Sequence, residues 1–326
     1  VPFEPARRAL PAEVAREIES AVRTFARVWG RRPLVDGRSF REMMEWKGTS
    51  LWWMVEGFFR TTEACACVRQ AETLLRILEA EAPQEVEGMG LSARDAVLLE
   101  RAATARGVLC HGRARAKAPG GRSWSSWLKG ALPRRASGPA VRAASFLLVT
   151  DEAPADPPAD DEMVTVPLAA LRDGETAESR QATRTACRIL DETLGELESS
   201  PGVHEAFTHR GVAFYDLCAG DLQQLLQVAL PRAVHLFEQM ASLLRTASPP
   251  AVAVRAASRD ERRTLLAACR SASVPTVLLR TEDVAEPERL DGGPQPDLVL
   301  AWDGSAGPAD LREALREAAR AGVGTA

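Results

Sequence analysis

Histidine is the side chain best suited to moving protons near neutral pH, and this chain carries four in 326 residues. His111 follows the apolar run Val108-Leu109-Cys110, at the end of a predicted strand. Strand-end loops commonly hold catalytic bases. His111 is therefore a candidate general base, set against a solvent-exposed histidine with no acid in its own loop. His204 and His209 flank a predicted turn, five residues apart, with Cys218 beyond them. Metal-binding pairs on helices use i, i+4 spacing and need further ligands, so no metal site is expected. Cys65, Cys67, Cys110, Cys187, Cys218 and Cys269 include no C-x-x-C pair, which argues against a zinc ribbon or a dithiol motif. In apolar contexts a free thiol acts as a small hydrophobe, as expected in a reducing compartment. No Ser/His/Asp or paired-carboxylate arrangement follows from spacing.

Two stretches could bind anions. One lies after the apolar run 251–256, where Ser258 and Arg259 open a predicted helix. Backbone N–H groups at such a helix start can hold a phosphate, with Arg259 adding charge. The competing reading is plain capping by Ser258, with Asp260 and Glu261 complementing the helix dipole and repelling a diphosphate. The other is basic. Residues 101–150 contain ten Lys or Arg, among them Arg113, Arg115 and Lys117, and no Asp or Glu. Trp124 and Trp127 within it could stack on a base or sugar. The acidic run Asp151, Glu152, Asp156, Asp160, Asp161 and Glu162 follows directly, and a solvated loop pairing loosely with it explains the basic stretch equally. No glycine-rich phosphate loop is present.

The elements that must position these groups change character along the chain. Val14, Ile18, Val22, Phe25 and Trp29 mark one face of a helix over 11–29 that Gly30 stops. Residues 43–59 hold three of the seven tryptophans. Gly48 and Ser50 are expected to separate two short helices there. Trp46, Trp52, Trp53, Phe58 and Phe59 form either an aromatic core or inter-helix contact, or an interface in the form of a dimer or membrane-surface patch. Only Lys47 and Arg60 bracket the cluster, which weakens the membrane version. A helix over 62–81 precedes a strand–helix–strand unit spanning Glu85–Met89, 92–106 and Val108–Cys110. After the basic stretch, Ala144–Thr150 reads as a buried strand. A helix over 176–198, strands at Val203–Phe207 and Val212–Tyr215, and a helical pair over 221–245 broken or kinked at Pro231 come next. Strands at Ala251–Ala256, Thr276–Arg280 and Asp297–Trp302 then alternate with helices over 259–272 and 308–321, the grammar of a doubly wound sheet.

Length favours two domains, placed here at 1–140 (helix-rich, with the small βαβ unit and the basic loop) and 141–326 (doubly wound α/β). A net charge of −4 argues against a nucleic-acid partner. No run has the ~18 apolar residues of a membrane span. The polar start Val1-Pro2-Phe3-Glu4-Pro5 lacks the grammar of a signal peptide, so a cytoplasmic protein is expected.

The order of strand 145–150, the segment Val166-Pro167-Leu168-Ala169-Ala170-Leu171, the helical pair 221–245, strand 251–256, helix 262–272, Ser273-Val274-Pro275-Thr276-Val277 and Asp297-Leu298-Val299-Leu300-Ala301-Trp302 resembles bacterial surface-carbohydrate glycosyltransferases of the two-Rossmann, GT-B type. The 40–59 tryptophan segment with its following helix and βαβ unit is similar to their first half. The resemblance implies two Rossmann-like lobes, the first reduced, and a nucleotide-sugar donor between them, with no other cofactor. Two positions depart from the family. Its Gln-His-Gly turn is replaced by Leu279-Arg280-Thr281-Glu282, and Asp151-Glu152 stands where a histidine is common, which makes Asp151 a second catalytic candidate. The expectation is thus a glycosyltransferase-like protein of polysaccharide assembly, active or degenerate, with a non-enzymatic scaffold or partner-binding protein on the same fold as the alternative.

Overall fold

The computed structural model describes residues 11–54, 63–111, 145–151, 162–255, 258–280, 293–301 and 308–323. In chain order its principal elements are α1 (Ala12–Trp29), α2 (Glu63–Glu81), β1 (Glu85–Glu87), α3 (Ala93–Ala105), β2 (Leu109–His111), β3 (Phe146–Thr150), β4 (Met163–Pro167), α4 (Leu168–Asp173), α5 (Ala177–Ser199), α6 (Pro201–Ala206), α7 (Tyr215–Gln224), α8 (Leu230–Ala247), β5 (Val252–Arg255), α9 (Arg259–Ser271), β6 (Thr276–Arg280), β7 (Leu298–Ala301) and α10 (Pro308–Val323). The fold is mixed α/β, rich in helix, with one five-stranded parallel sheet.

The chain divides into two units. The first takes Val1–Glu45, Ser50–Ser126 and Asp191–Leu226; the second takes Trp46–Thr49, Trp127–Leu190 and Gln227–Ala326. The sequence suggested a single crossing near 140. Residues 191–226 instead join the first unit, because Phe207 and Phe214 complete its aromatic core.

That core grows from the apolar stripe of α1. Trp29 packs on Phe40 (centroids 4.9 Å apart), stacks with Trp52 (6.0 Å) and meets Phe207 edge-on (5.2 Å), while Phe25 touches Phe214 (5.7 Å). Such pairs add about 0.5–1.5 kcal/mol each beyond area burial. Gly30 caps α1 where only hydrogen fits: a Cβ there would stand 2.0 Å from the Trp52 ring. In the same unit, β1 and β2 pair in parallel with α3 between them, and Ser92 caps α3 by accepting from the Asp95 N–H (3.2 Å).

An electrostatic hub lies on α2. Glu72 is buried and accepts hydrogen bonds from His209 Nε2 (2.8 Å), Arg76 Nε (2.8 Å) and Arg210 Nη1 (3.1 Å). Arg210 also reaches Glu79 (2.6 Å), which Arg106 holds from the other side (2.7 Å). Burial alone would raise the Glu72 carboxyl, but the three hydrogen bonds outweigh it and hold it at about 2.

The parallel sheet of the second unit runs β7-β6-β5-β3-β4. Numbered by order of occurrence this is 2-1-3-4-5, a doubly wound arrangement whose direction of growth reverses between β3 and β5. Alternation splits the strand residues between two faces. Leu148, Ala253, Val277 and Leu279 pack with Leu311, Leu315 and Ala318 of α10. Leu147, Val149, Val252 and Val254 are equally buried on the opposite face, where α9 packs on β5 and against α8.

Several local expectations change. Short helical stretches at Phe40–Met43 and 52–54 do flank Gly48 and Ser50. Between them Glu45–Trp46 and Thr49–Ser50 form a hairpin, because Lys47 (φ 47°) and Gly48 (φ 77°) supply a two-residue left-handed turn. Val203–Phe207 is no strand: Pro201 starts α6 through it. The strand at 212–215 shortens to Val212–Ala213, paired antiparallel with Thr208–His209 around Arg210 and Gly211 (φ 50° and 89°). The helical run over 215–247 is divided in two, as Pro231 leads one to expect. A π turn over Leu225–Ala229 separates α7 from α8, with Pro231 the second residue of α8. Trp52 and Trp53 are 4% and 1% exposed, so both fill the core instead of presenting an interface. Trp46 Nε1 donates to the buried Glu238 (2.8 Å), beside the Lys47 ammonium at the same distance. Phe58 and Phe59 lie outside the described residues.

Candidate functional site

In a doubly wound sheet, ligands settle beyond the carboxyl ends of the strands where the order reverses. Here that point lies between the ends of β3 and β5, and the chemistry there comes from four segments of the second unit. β3 ends in the buried Thr150 and leads to Asp151, whose N–H donates to the Arg255 carbonyl (3.3 Å) at the end of β5. Parallel pairing of Thr150 with Arg255 and of Thr150 with Pro167 sets these ends side by side. Directly after Pro167, the end of β4, α4 begins its run to Arg172. The fourth segment is the start of α9.

The α9 start is capped. The Ser258 side chain accepts from the Glu261 N–H (3.4 Å), and the Asp260 carbonyl accepts from the Thr264 hydroxyl (2.8 Å). Arg172 bridges the acids: its Nη2 lies 2.8 Å from Glu261 and 3.8 Å from Asp151. Burial pushes the Asp260 carboxyl up, against the pull of Arg263 and Arg259. Burial also pushes Glu261 up, opposed by Arg172 and reinforced by Asp151. The Arg262 guanidinium is lowered by burial and by the charge of Arg259. The site therefore has cations and carboxylates in close alternation, with acids that hold their protons more firmly than usual. Such a site admits an anion best when Glu261 and Asp260 are protonated.

Of the residues singled out from sequence, Asp151 and Ser258 come together here through Arg172 and Glu261, with Arg259 opening the helix. The signal missed was Arg172, one of many arginines in sequence and distinguished only by the fold. His111 belongs to the first unit. It does have an acid partner, Glu85 on the neighbouring strand (3.2 Å), but both side chains are more than 60% exposed, which leaves the pair in bulk water. His204 packs on Tyr215 (4.4 Å) and His209 serves the Glu72 hub. Arg113, Arg115 and Lys117 lie outside the described residues. Among the described residues no group of three or more His, Cys, Asp or Glu side chains is arranged to hold a metal ion, and no helix is long and apolar enough to cross a membrane. Comparison with family models, curated proteins and solved structures gives no match.

Proposed function

We propose that this chain is a glycosyltransferase-like protein of bacterial surface polysaccharide assembly, built on a two-lobe GT-B plan, and that its second unit receives the diphosphate of a nucleotide sugar at the carboxyl edge of the parallel sheet. The observation that supports this reading is the 2-1-3-4-5 strand order, which sets Asp151, Arg255, Ser258 and Arg259 around the reversal point. In this reading Arg259 and the backbone at the start of α9 hold phosphate, and Arg172 is drawn from Glu261 to the ligand. Calorimetric titration with UDP and with GDP tests it. Heat of binding is expected by millimolar ligand, weakened about tenfold by Arg259→Ala, the loss of one charge-assisted hydrogen bond. Absence of heat with both nucleotides contradicts it.

A second reading, a non-enzymatic scaffold on the same fold, draws on the Arg172–Glu261 bridge and the capped helix start. Both satisfy internally the groups a phosphate would need. Under that reading neither nucleotide binds, and Glu261→Gln does not create binding.

A further inference from the structure

Two thiols of the first unit, 151 residues apart in sequence, meet in its interior. Cys67 on α2 and Cys218 in the first turn of α7 are buried, and the Cys218 S–H points to Cys67 with the sulfurs 4.0 Å apart. A disulfide requires about 2.05 Å, so closure brings the sulfurs together by roughly 2 Å. Cys65 cannot substitute for Cys67, since two residues along a helix turn the side chain by about 200°.

Charged groups surround the pair. Asp216 holds Arg101 through two hydrogen bonds (2.7 and 2.9 Å), and this guanidinium is near enough to Cys67 to interact with its charge. Cys218 instead has Asp216 and Asp221 as electrostatic neighbours, and its hydrogen bond to Cys67, with burial, pushes its thiol up. The two sulfurs have interchangeable roles: whichever is oxidised first, the other stands 4.0 Å away to resolve it.

We propose that Cys67 and Cys218 form a reversible disulfide under hydrogen peroxide, tying α2 to α7. The thiolate of one cysteine attacks one peroxide oxygen and breaks the O–O bond, giving a sulfenic acid and hydroxide. The sulfur of the other cysteine then attacks the oxidised sulfur. The S–S bond forms, the S–OH bond breaks, and the departing hydroxide takes the thiol proton as water. Overall, two thiols and one peroxide become one disulfide and two waters, the sulfurs oxidised and the peroxide oxygens reduced. A small dithiol reverses the reaction.

The test treats the reduced full chain with millimolar hydrogen peroxide, blocks remaining thiols under denaturing conditions and maps peptides by mass. The expected product is a Cys67–Cys218 cross-link two hydrogens lighter, lost on dithiothreitol treatment and absent from Cys218→Ala. Recovery of both cysteines as blocked thiols, as sulfinic or sulfonic acids, or in bonds to other cysteines overturns the proposal. The wild-type map decides between these outcomes even if the variant fails to fold.

Discussion

Glu72 takes its properties from partners far away in sequence: His209 and Arg210 reach it from a hairpin 137 and 138 residues on. Its carboxyl, held at about 2 against an ordinary value of 4.5, contributes stability that is complete above about pH 4.5. That contribution is lost as pH falls through 2. Glu72→Gln should therefore cost about 3 kcal/mol near neutrality, with the gap to wild type closing toward pH 2 in denaturant unfolding. A gap unchanged between pH 6 and pH 2 would refute the charge-based account. Gly30 makes a second prediction from a single contact. Gly30→Ala drives a methyl into Trp52 and should cost about 1–3 kcal/mol by overpacking, read as a lowered unfolding midpoint. Neither effect was legible in the sequence. Glu72 is one of many helix acids there, and Gly30 a plain helix stop. The aromatic stripe of α1 was legible, because Ile18, Val22, Phe25 and Trp29 share one face by helical period alone.

At the scale of elements, strands with continuous apolar sequence announced themselves. Phe-Leu-Leu-Val-Thr, Val-Ala-Val-Arg and Thr-Val-Leu-Leu-Arg lie in the sheet within a residue or two of where their sequence places them. The edge strand β4, Met-Val-Thr-Val-Pro, was not read as a strand, since only Met163 and Val166 are buried and proline ends it. Residues 203–207 misled because their apolar content suits either state, and the decision fell to Pro201. The start of α9 was read as both a cap and a phosphate cradle, and the cap is visible in the Ser258 bond to Glu261. Ser258→Ala should cost about 1 kcal/mol in the unfolding of the second unit. If phosphate also seats at this helix start, UDP affinity should rise as pH is lowered into the range where Asp260 and Glu261 take up protons. Burial raises Asp260 and Glu261, and their protonation removes the charge that opposes an anion. Affinity that falls on acidification would count against phosphate at this position.

For the whole molecule, the tryptophan segment tests how the chain uses its apolar surface. Trp52 is a core residue stacked on Trp29. Trp52→Ala should thus cost about 3–5 kcal/mol while leaving the molar mass by light scattering unchanged. A change of oligomeric state without loss of stability would restore an interface role. The doubly wound second unit was legible because local apolar runs recur in the right order. The assignment of 191–226 to the first unit was not, since it depends on Phe207 and Phe214 finding partners on α1. Hydrogen exchange, read by mass spectrometry with and without millimolar UDP, tests most directly whether a nucleotide diphosphate binds where the sheet order reverses. Added protection is expected in peptides covering 147–151 and 258–263, reduced in Arg259→Ala. Protection confined to other peptides, or none at saturating UDP, would contradict it.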